Sequence, residues 1–358
     1  MKNLYLSPGF FPKDYFAATA ETIASVQLTS GAIPWFEGHL VDPWDHVEAA
    51  MGLTVGGHFD QARLAYLWLA GLQEPDGGFW PAYDDTLPLD MSRKESHHAP
   101  YLATGLWHYY LCTQDLDLIS TLWPCVCRAM DFACSLQTRH GEIAWALKPD
   151  GTVCRDALVT GCSSIYKSLE CGLLLGQELG QDMEDWRAAR DRLGHALRHR
   201  PERFDRTWAS KARYSMDWFY PILAGVLSRP QAWQRLRERW DQFVVPSLGC
   251  RCVSDQPWVT VAESCELVMA LLGVGQQGPA SHVFSWLHVN RNGRGAYWTG
   301  YQTELDIFWP AQCPTWTSGA VLLAADALTR TTLAAHVLTS VCPQADEPGL
   351  LVQTNAAK

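Results

Sequence analysis

The sequence has no long apolar run. Of its 358 residues, none belongs to an uninterrupted apolar stretch of the roughly 18 residues that a membrane-spanning helix needs. Its first residues, MKNLYLSPGFFPKD, lack the apolar core and the small-residue cleavage site of an export signal. We therefore expect no transmembrane segment and a cytoplasmic location.

Basic residues are scarce relative to acidic ones. The chain has 28 Lys and Arg against 38 Asp and Glu, which gives a formal net charge of −10. A protein of this charge is repelled by a phosphate backbone, so we do not expect nucleic acid as a partner. We expect a small-molecule substrate instead.

Cysteine pairs of the zinc-binding type are also missing. The 12 Cys never form CxxC, and such pairs are the usual sequence sign of a structural zinc site. In a chain without an export signal, the 12 cysteines are therefore predicted to be free and mostly buried thiols. We expect no metal ion and no cofactor.

Tryptophan, by contrast, is abundant. The chain contains 17 Trp, whose flat rings pack in cores, stack on sugar rings or surround cations. A ligand site with aromatic walls is therefore expected.

Helical patterns follow one another along the chain, and no segment has a convincing strand pattern. In one of them, Leu118, Leu122, Cys125, Ala129 and Phe132 recur at helical spacing. Twelve such segments predict six helical hairpins, which bury their apolar faces by stacking on their neighbours. The predicted fold is all-α, an (α/α)6 toroid with six inner and six outer helices. We assign residues 1–345 to this single domain and 346–358 to a flexible C-terminal tail.

The connections between these helices are of two kinds. Those from even-numbered to odd-numbered helices are short, for example GGH, TQD and SRP, whereas those from odd to even are long and rich in acids and aromatics. Long loops on a rigid scaffold commonly carry function. We expect all six on one face, at the N-termini of the inner helices, with no sheet of consequence.

A short pattern recurs after four odd-numbered helices. It reads QLTSGAIPW at 27–35, QEPDGGFW at 73–80, QTRHGEIAW at 137–145 and, more loosely, NRNGRGAYW at 290–298. In each copy, Gly is suited to the left-handed end of a helix, and the aromatic residue anchors the following loop.

These features resemble known toroids. The Gln–x3–Gly–x–aromatic segments are similar to the repeats of squalene–hopene-type cyclases. The stretch DPWDHVEAAMGL with FDQARLAYLWLAGLQEPDGGFW resembles the first hairpins of glucoamylase-type glycosidases, in which an acid beside a Trp at an inner helix start binds the sugar. The whole chain also resembles bacterial proteins labelled prenyltransferase.

The chain departs from the prenyl-handling families at their reactive motifs. A terpene cyclase of the protonating class would need DxDD, whereas this chain has DLDL at 115–118 and YDDT at 83–86. The Asp–x–Cys arrangement that holds zinc in protein prenyltransferases is also missing. The glycosidase resemblance has no single motif of this kind.

The start of the second helix is the first candidate site. Asp42, Trp44, Asp45, His46 and Glu48 crowd this point. Asp42 before a Pro is also a standard N-cap, and acids are favoured in a first helical turn. We predict Asp45 as catalytic, with Trp44 and His46 in contact with the substrate.

A second pair of acids lies at the start of the tenth helix. Glu263 and Glu266 are three residues apart and share one helical face. Small and apolar neighbours in WVTVAES are the surroundings that a general acid needs. We predict Glu263 as the general acid, although capping acids would have the same spacing.

We expect Asp45, Glu263 and Asp306 to converge as catalytic acids on one pocket walled by Trp44, Trp258 and Trp309. The remaining substrate-binding candidates are polar or aromatic residues of the long loops and inner helix starts: Asp85, His98, Asp217, Tyr220 and Glu304.

Three functions are compatible with these residues. The first is a glycoside-acting enzyme using paired carboxylates, which stand about 6.5–9.5 Å apart in inverting and about 5–5.5 Å apart in retaining enzymes. The second is a terpenoid cyclase or prenyltransferase-like enzyme, which needs an apolar cavity with one isolated acid. The third is a binding toroid without catalysis, in which no acids converge.

Overall fold

Twelve α-helices dominate the computed structural model, which describes residues 14–340. The outer, odd-numbered helices are α1 (Tyr15–Val26), α3 (Phe59–Gly71), α5 (Leu116–Ser135), α7 (Glu184–His199), α9 (Arg229–Phe243) and α11 (Gln277–Trp286). The inner, even-numbered helices are α2 (Pro43–Val55), α4 (His98–Thr113), α6 (Val159–Glu178), α8 (Ser215–Leu223), α10 (Val261–Gly273) and α12 (Thr315–Thr329). The tail predicted at 346–358 lies outside the described residues.

The even-numbered helices form a closed inner ring. Each packs against the next even-numbered helix, from α2 through α4, α6, α8 and α10 to α12, and α12 packs against α2. At this closure the backbones meet directly, since a Cβ at Gly52 would lie 2.7 Å from the Cα of Gly319. The odd-numbered helices pack outside, so the predicted all-α toroid of six hairpins is confirmed.

The recurring Gln–Gly segments join neighbouring hairpins. In three copies, the Gln amide donates to the carbonyl of the Gly four residues on and to a backbone carbonyl in the next outer helix, at 2.8–3.0 Å. The acceptors are Gly31 and Gln61 for Gln27, Gly77 and Cys125 for Gln73, and Gly141 and Ala189 for Gln137. The repeat is therefore a clamp between outer helices.

These glycines are required by both conformation and space. Gly31, Gly77 and Gly141 have φ values of 107°, 90° and 104°, which strain other residues. A Cβ on any of them would overlap a backbone carbonyl of the next outer helix. In the looser fourth copy, the carbonyl of Gly295 accepts a hydrogen bond from Thr19 of α1 at 2.9 Å, which links the last hairpins to the first.

The expectation of no sheet of consequence is wrong. The long loops contain ten short strands: β1 (Ala82–Asp84), β2 (Leu87–Asp90), β3 (Lys94–Glu95), β4 (Ala146–Leu147), β5 (Val153–Cys154), β6 (Val244–Val245), β7 (Gly249–Arg251), β8 (Trp258–Thr260), β9 (Gly300–Gln302) and β10 (Ile307–Phe308). They pair antiparallel in the orders β1-β2, β3-β4-β5 and β10-β9-β8-β7-β6. With two to four residues each, they are too short to show an alternating pattern in the sequence.

Strand pairing and single hydrogen bonds tie the six long loops into a circle. The β3–β4 pair joins the second loop to the third, and the β8–β9 pair joins the fifth to the sixth. The Thr315 N–H donates to the Trp35 carbonyl at 2.7 Å, which joins the sixth loop to the first. The loops thus form one rim around the N-terminal ends of the inner helices.

The structure also bears on the expected state of the cysteines and on the expected absence of a transmembrane helix. Eleven cysteines are free, and the twelfth lies outside the described residues. Five are buried and six are partly exposed, so the expectation that most are buried is wrong; the buried ones are Cys125, Cys162, Cys171, Cys250 and Cys265. Between residues 14 and 340, no helix combines the length and the apolar character that crossing a membrane requires.

Candidate active site

All six inner helices begin around a single cleft of about 270 Å³. Each contributes at least one residue from its first two turns or from the position just before it. The lining residues are Asp42, Trp44, Asp45 and Glu48 of α2, His97 and His98 of α4, Thr160 of α6, Met216 of α8, Glu263 and Glu266 of α10, and Trp316 of α12. Five of these residues are carboxylic acids.

Asp42 caps α2 and lies beside His98. Its Oδ1 accepts hydrogen bonds from the backbone N–H groups of Trp44 and Asp45 at 2.8 and 3.2 Å, and its Oδ2 lies 3.9 Å from His98 Nε2. Burial raises the pKa of Asp42, and His98 and the two N–H groups only partly offset this rise. The capping function that the sequence indicated for Asp42 is therefore present, and the residue also faces the cleft.

Two acids of α2, Asp45 and Glu48, have raised pKa values. Burial raises the pKa of Asp45 well above its usual range, and the neighbouring carboxylates of Asp42 and Glu48 raise it further. Glu48, one turn deeper, has a pKa raised to about 8 by burial and by the charge of Glu263. Both groups therefore favour the protonated form at neutral pH.

The acids of α10 face those of α2. Glu263, in the first turn of α10, is buried, and its Oε2 makes no hydrogen bond within the described chain. Glu266, one turn deeper, has a pKa raised well above the usual range by burial and then by Glu48 and Glu263. The cleft thus has two levels of acids, an upper pair of Asp45 and Glu263 and a lower pair of Glu48 and Glu266.

Aromatic rings pack around Trp44 at the wall of the cleft. The Trp44 ring contacts His97 at 4.9 Å and Tyr101 at 4.8 Å between ring centroids. Tyr220 lies 5.6 Å from the same ring but is 2% exposed and is not among the lining residues. Trp44 therefore faces the cleft, whereas Tyr220 packs behind it.

A third group of side chains stands at the α4 side of the cleft. Glu95 Oε2 lies 3.6 Å from His97 Nε2 and 3.8 Å from His98 Nε2, and Arg93 binds the other oxygen of Glu95 at 2.7 Å. Within residues 14–340, this trio has the spacing that could hold a metal ion. The expectation that the protein needs no metal or cofactor stays a prediction.

Three predicted ligands have other partners. His46 is fully buried: the Ile33 N–H donates to its Nδ1 at 3.1 Å, and its Nε2 lies 3.0 Å from the Ala65 carbonyl. Asp85, in the β1–β2 turn, accepts a hydrogen bond from the indole N–H of Trp68 at 3.3 Å. Asp217 is buried 3.8 Å from Arg235. The prediction of His46 as a substrate contact is wrong because both of its nitrogens are occupied inside the core.

The predicted convergence of Asp306 with Asp45 and Glu263 is not observed. Asp306 and Glu304 are exposed in the turn between β9 and β10, where Asp306 accepts a hydrogen bond from Tyr301. Trp258 and Trp309 line a separate cavity with no residue of the cleft. The physical reason is the unexpected hairpin, which places these residues on the rim.

The sequence predicts a catalytic or binding role for four of the eleven lining residues. Trp44, Asp45, His98 and Glu263 line the cleft as predicted, although their roles stay predictions. The remaining acids were visible in the sequence, because Glu48 follows Asp45 and Glu266 follows Glu263 by three residues. The first-turn position in each even-numbered helix would also have identified Thr160, Met216 and Trp316.

Glu48 is expected to make the folded protein less stable as the pH rises. Between its ordinary pKa near 4.5 and its folded pKa of about 8, Glu48 keeps its proton in the folded protein and loses it in the unfolded chain. The free energy of unfolding therefore falls as the pH rises through this interval. Glu48→Gln should be more stable than the parent at pH 8, on the order of 2–4 kcal/mol, and nearly equal to it near pH 4.5.

Urea unfolding of both proteins at pH 5 and pH 8 checks this expectation. The exposed acid Glu304 provides the control, since Glu304→Gln should change stability little at either pH. A Glu48→Gln effect that is the same at both pH values would contradict the buried, protonated state of Glu48.

No protein-family model matches the chain. A curated relative, the MMP endo-(1,4)-3-O-methyl-alpha-D-mannosidase of Mycolicibacterium hassiacum, is 46% identical over 325 residues, which cover 91% of this chain and 89% of the relative. This identity and coverage show a common family.

Solved structures share the fold at low sequence identity. An uncharacterized conserved protein from Thermus thermophilus has a TM-score of 0.70 at 12% identity and covers 86% of this chain and 98% of its own. A structure described as a wild-type glycosidase has a TM-score of 0.69 at 12% identity, with 91% and 97% covered. The GH63 mannosylglycerate hydrolase from Thermus thermophilus, in complex with glucose, has a TM-score of 0.65 at 13% identity, with 85% and 98% covered.

These likenesses support the glycosidase-like toroid, and they give no support to the resemblance to prenyltransferases and terpenoid cyclases. The chain belongs to the family of the Mycolicibacterium hassiacum endo-mannosidase, and it is a glycoside hydrolase-like enzyme.

Proposed function

We propose that this protein is an endo-acting glycoside hydrolase that cleaves (1,4) linkages between 3-O-methyl-alpha-D-mannose units. The substrate class comes from the name of the relative with which the chain shares 46% identity. The observation that carries the hydrolytic mechanism is the upper pair of acids, since Asp45 and Glu263 line one cleft from two different inner helices. Paired carboxyl groups flanking a sugar linkage are what glycoside hydrolysis needs.

Asp45 is the proton donor in this mechanism. Its protonated form is favoured by burial and by the acids beside it on α2, and a donor to the glycosidic oxygen must hold its proton at working pH. This assignment replaces the sequence-based prediction of Glu263 as the acid. As Asp45 donates, the bond from the anomeric carbon to the glycosidic oxygen breaks, and positive charge develops on the sugar ring.

Glu263 is the base. Glu263 lines the cleft, and its Oε2 is buried without a hydrogen-bonding partner in the described chain. In the proposed step, its carboxylate accepts a proton from the water that attacks the anomeric carbon. The same side chain also stabilises the positive charge on the ring. The helix α12 separates α2 from α10 in the inner ring, which leaves room for a sugar between the two acids.

The other lining residues bind and orient the sugar. Trp44 and Trp316 offer ring faces to the C–H surfaces of the pyranose. His97 and His98 also line the cleft, and their imidazole rings offer hydrogen-bonding groups to sugar hydroxyls. Because five acids meet in the cleft, a binding toroid without catalysis, expected to show none, is the weaker alternative.

A cytoplasmic location belongs to the same proposal. It is supported by the free state of the eleven described cysteines, because reducing compartments keep thiols unpaired.

The experiment is digestion of defined oligosaccharides. The purified protein is incubated with (1,4)-linked 3-O-methyl-alpha-mannose oligomers, and with maltooligosaccharides of equal length as the comparison. Mass spectrometry should show internal cleavage of the methylmannose oligomers and little of the comparison. Intact methylmannose oligomers, or release of single terminal units only, would contradict the proposed function.

A further inference from the structure

A second cavity lies in the rim, outside the acid-lined cleft. It has a volume of about 420 Å³ and lies between the β7–β8 connection and the β9–β10 hairpin. Its lining residues are neutral, and most are apolar: Val253, Gln256, Pro257, Trp258, Gln302, Leu305 and Trp309. Its size is in the range of small-ligand sites, and the absence of charge among its lining residues argues against an ionic ligand.

Two tryptophans form a fixed corner in this cavity. Their rings meet edge to face at 5.0 Å, and the Trp258 indole N–H donates to the Trp309 carbonyl at 2.7 Å. Trp309 nevertheless remains 49% exposed. An aromatic face that is held in position and open to solvent loses little conformational entropy when a ligand stacks on it.

Apolar exposure continues beside the corner. Leu305 is 65% exposed and Ile307 is 44% exposed in the same hairpin. Exposed apolar side chains that adjoin one another commonly mark a binding surface. Gln302 adds a polar group, because its Oε1 accepts from the Leu305 N–H at 2.5 Å and its amide NH₂ can donate to a ligand.

The cavity adjoins the wall that carries the proposed base. The Cys252 thiol lies beside the Glu263 carboxylate, and the next residue, Val253, lines the cavity. Trp258 begins β8, which runs directly into α10 and hence to Glu263 two residues after the helix start. Because Trp258 and Glu263 are five residues apart in the chain, their Cα atoms are at most about 18 Å apart, a distance that a polymer of a few sugar units can span.

We infer that this cavity is a distal subsite for a 3-O-methyl-mannose unit of the same polymer, away from the bond that is cleaved. This inference rests on the proposed function. A methoxy group in place of a hydroxyl removes a donor and adds apolar surface, which suits a cavity of this composition. The C–H face of the sugar stacks on Trp309, the methyl group contacts Leu305, and the Gln302 amide donates to a remaining oxygen.

The test uses Trp309→Ala with a length series of 3-O-methyl-mannose oligomers. For long oligomers, loss of the stacking face should raise KM about tenfold and leave kcat nearly unchanged. For the shortest oligomer that is cleaved, both constants should match those of the parent, because it does not reach the rim. Trp309→Phe keeps a flat ring and should restore most of the long-oligomer KM.

The matched control is Trp233→Ala. Trp233 lines another surface cavity, of about 380 Å³, beside the outer helix α9, so its removal should not change KM at any length. The subsite is refuted if Trp309→Ala alters long and short oligomers equally, or alters neither, while the parent cleaves both. A parent protein that leaves every oligomer intact would instead contradict the proposed function itself.

Discussion

Glu263→Gln is expected to lower kcat by a factor of about 10²–10⁴, the usual contribution of a positioned acid or base. Gln has the size and shape of Glu but can neither accept the proton of the attacking water nor carry the charge that stabilises the sugar cation. The loss should appear in kcat with little change in KM, because the binding rings of Trp44 and Trp316 are untouched.

Folding should survive this substitution. Glu263 is buried, and a neutral amide of the same size does not have to hold a charge away from water, so the melting temperature should not fall. Glu304→Gln, in the exposed β9–β10 turn, is the matched control and should retain full activity. A Glu263→Gln protein with normal turnover would remove Glu263 from the mechanism.

Asp45→Asn is expected to lower kcat by a similar factor on natural linkages. Asn cannot supply the proton that the departing sugar oxygen needs. The loss of kcat should be much smaller on an aryl glycoside with an acidic phenol leaving group, because such a group departs without protonation. Comparison of kcat on the two substrates, for Asp45→Asn and for the parent, isolates the role of proton donor.

The pH profile gives a second signature of the same role. Burial and the neighbouring Asp42 and Glu48 raise the pKa of Asp45 well above its usual range. Activity should therefore persist at pH values where an ordinary Asp is ionised, and it should fall only as the pH rises through the raised pKa. If Asp45→Asn behaves alike on both substrates and keeps the alkaline limb of the profile, Asp45 is not the donor.

The helical architecture was predictable because its signals are local and repeated. Apolar residues at helical spacing predict all twelve helices, and the contrast between long and short connections predicts which end of the toroid carries the long loops. The spacing of the Gln–Gly segments also identifies them as a repeat. Their function as clamps was not predictable, because it depends on the carbonyl of a neighbouring outer helix, which is distant in sequence, as in the bond from Gln73 to Cys125.

The candidate site was predictable only where the position of a residue in an inner helix determines whether its side chain points into the cleft. Asp45 and Glu263 lie in the first turns of inner helices and face the cleft. His46 follows Asp45 directly, and one step around the helix turns it into the core. Asp306 and Trp309 depend on a hairpin whose strands are two or three residues long, and so short a segment carries no periodic signal.

The most direct measurement is a crystal structure of Glu263→Gln with a 3-O-methyl-mannose oligomer bound. The account predicts a glycosidic oxygen within about 2.6–3.2 Å of the Asp45 carboxyl group, with the anomeric carbon of that linkage facing residue 263 across the cleft. An oligomer that binds outside the cleft, or that crosses it with no linkage near Asp45, would contradict the central claim that Asp45 and Glu263 act as one catalytic pair.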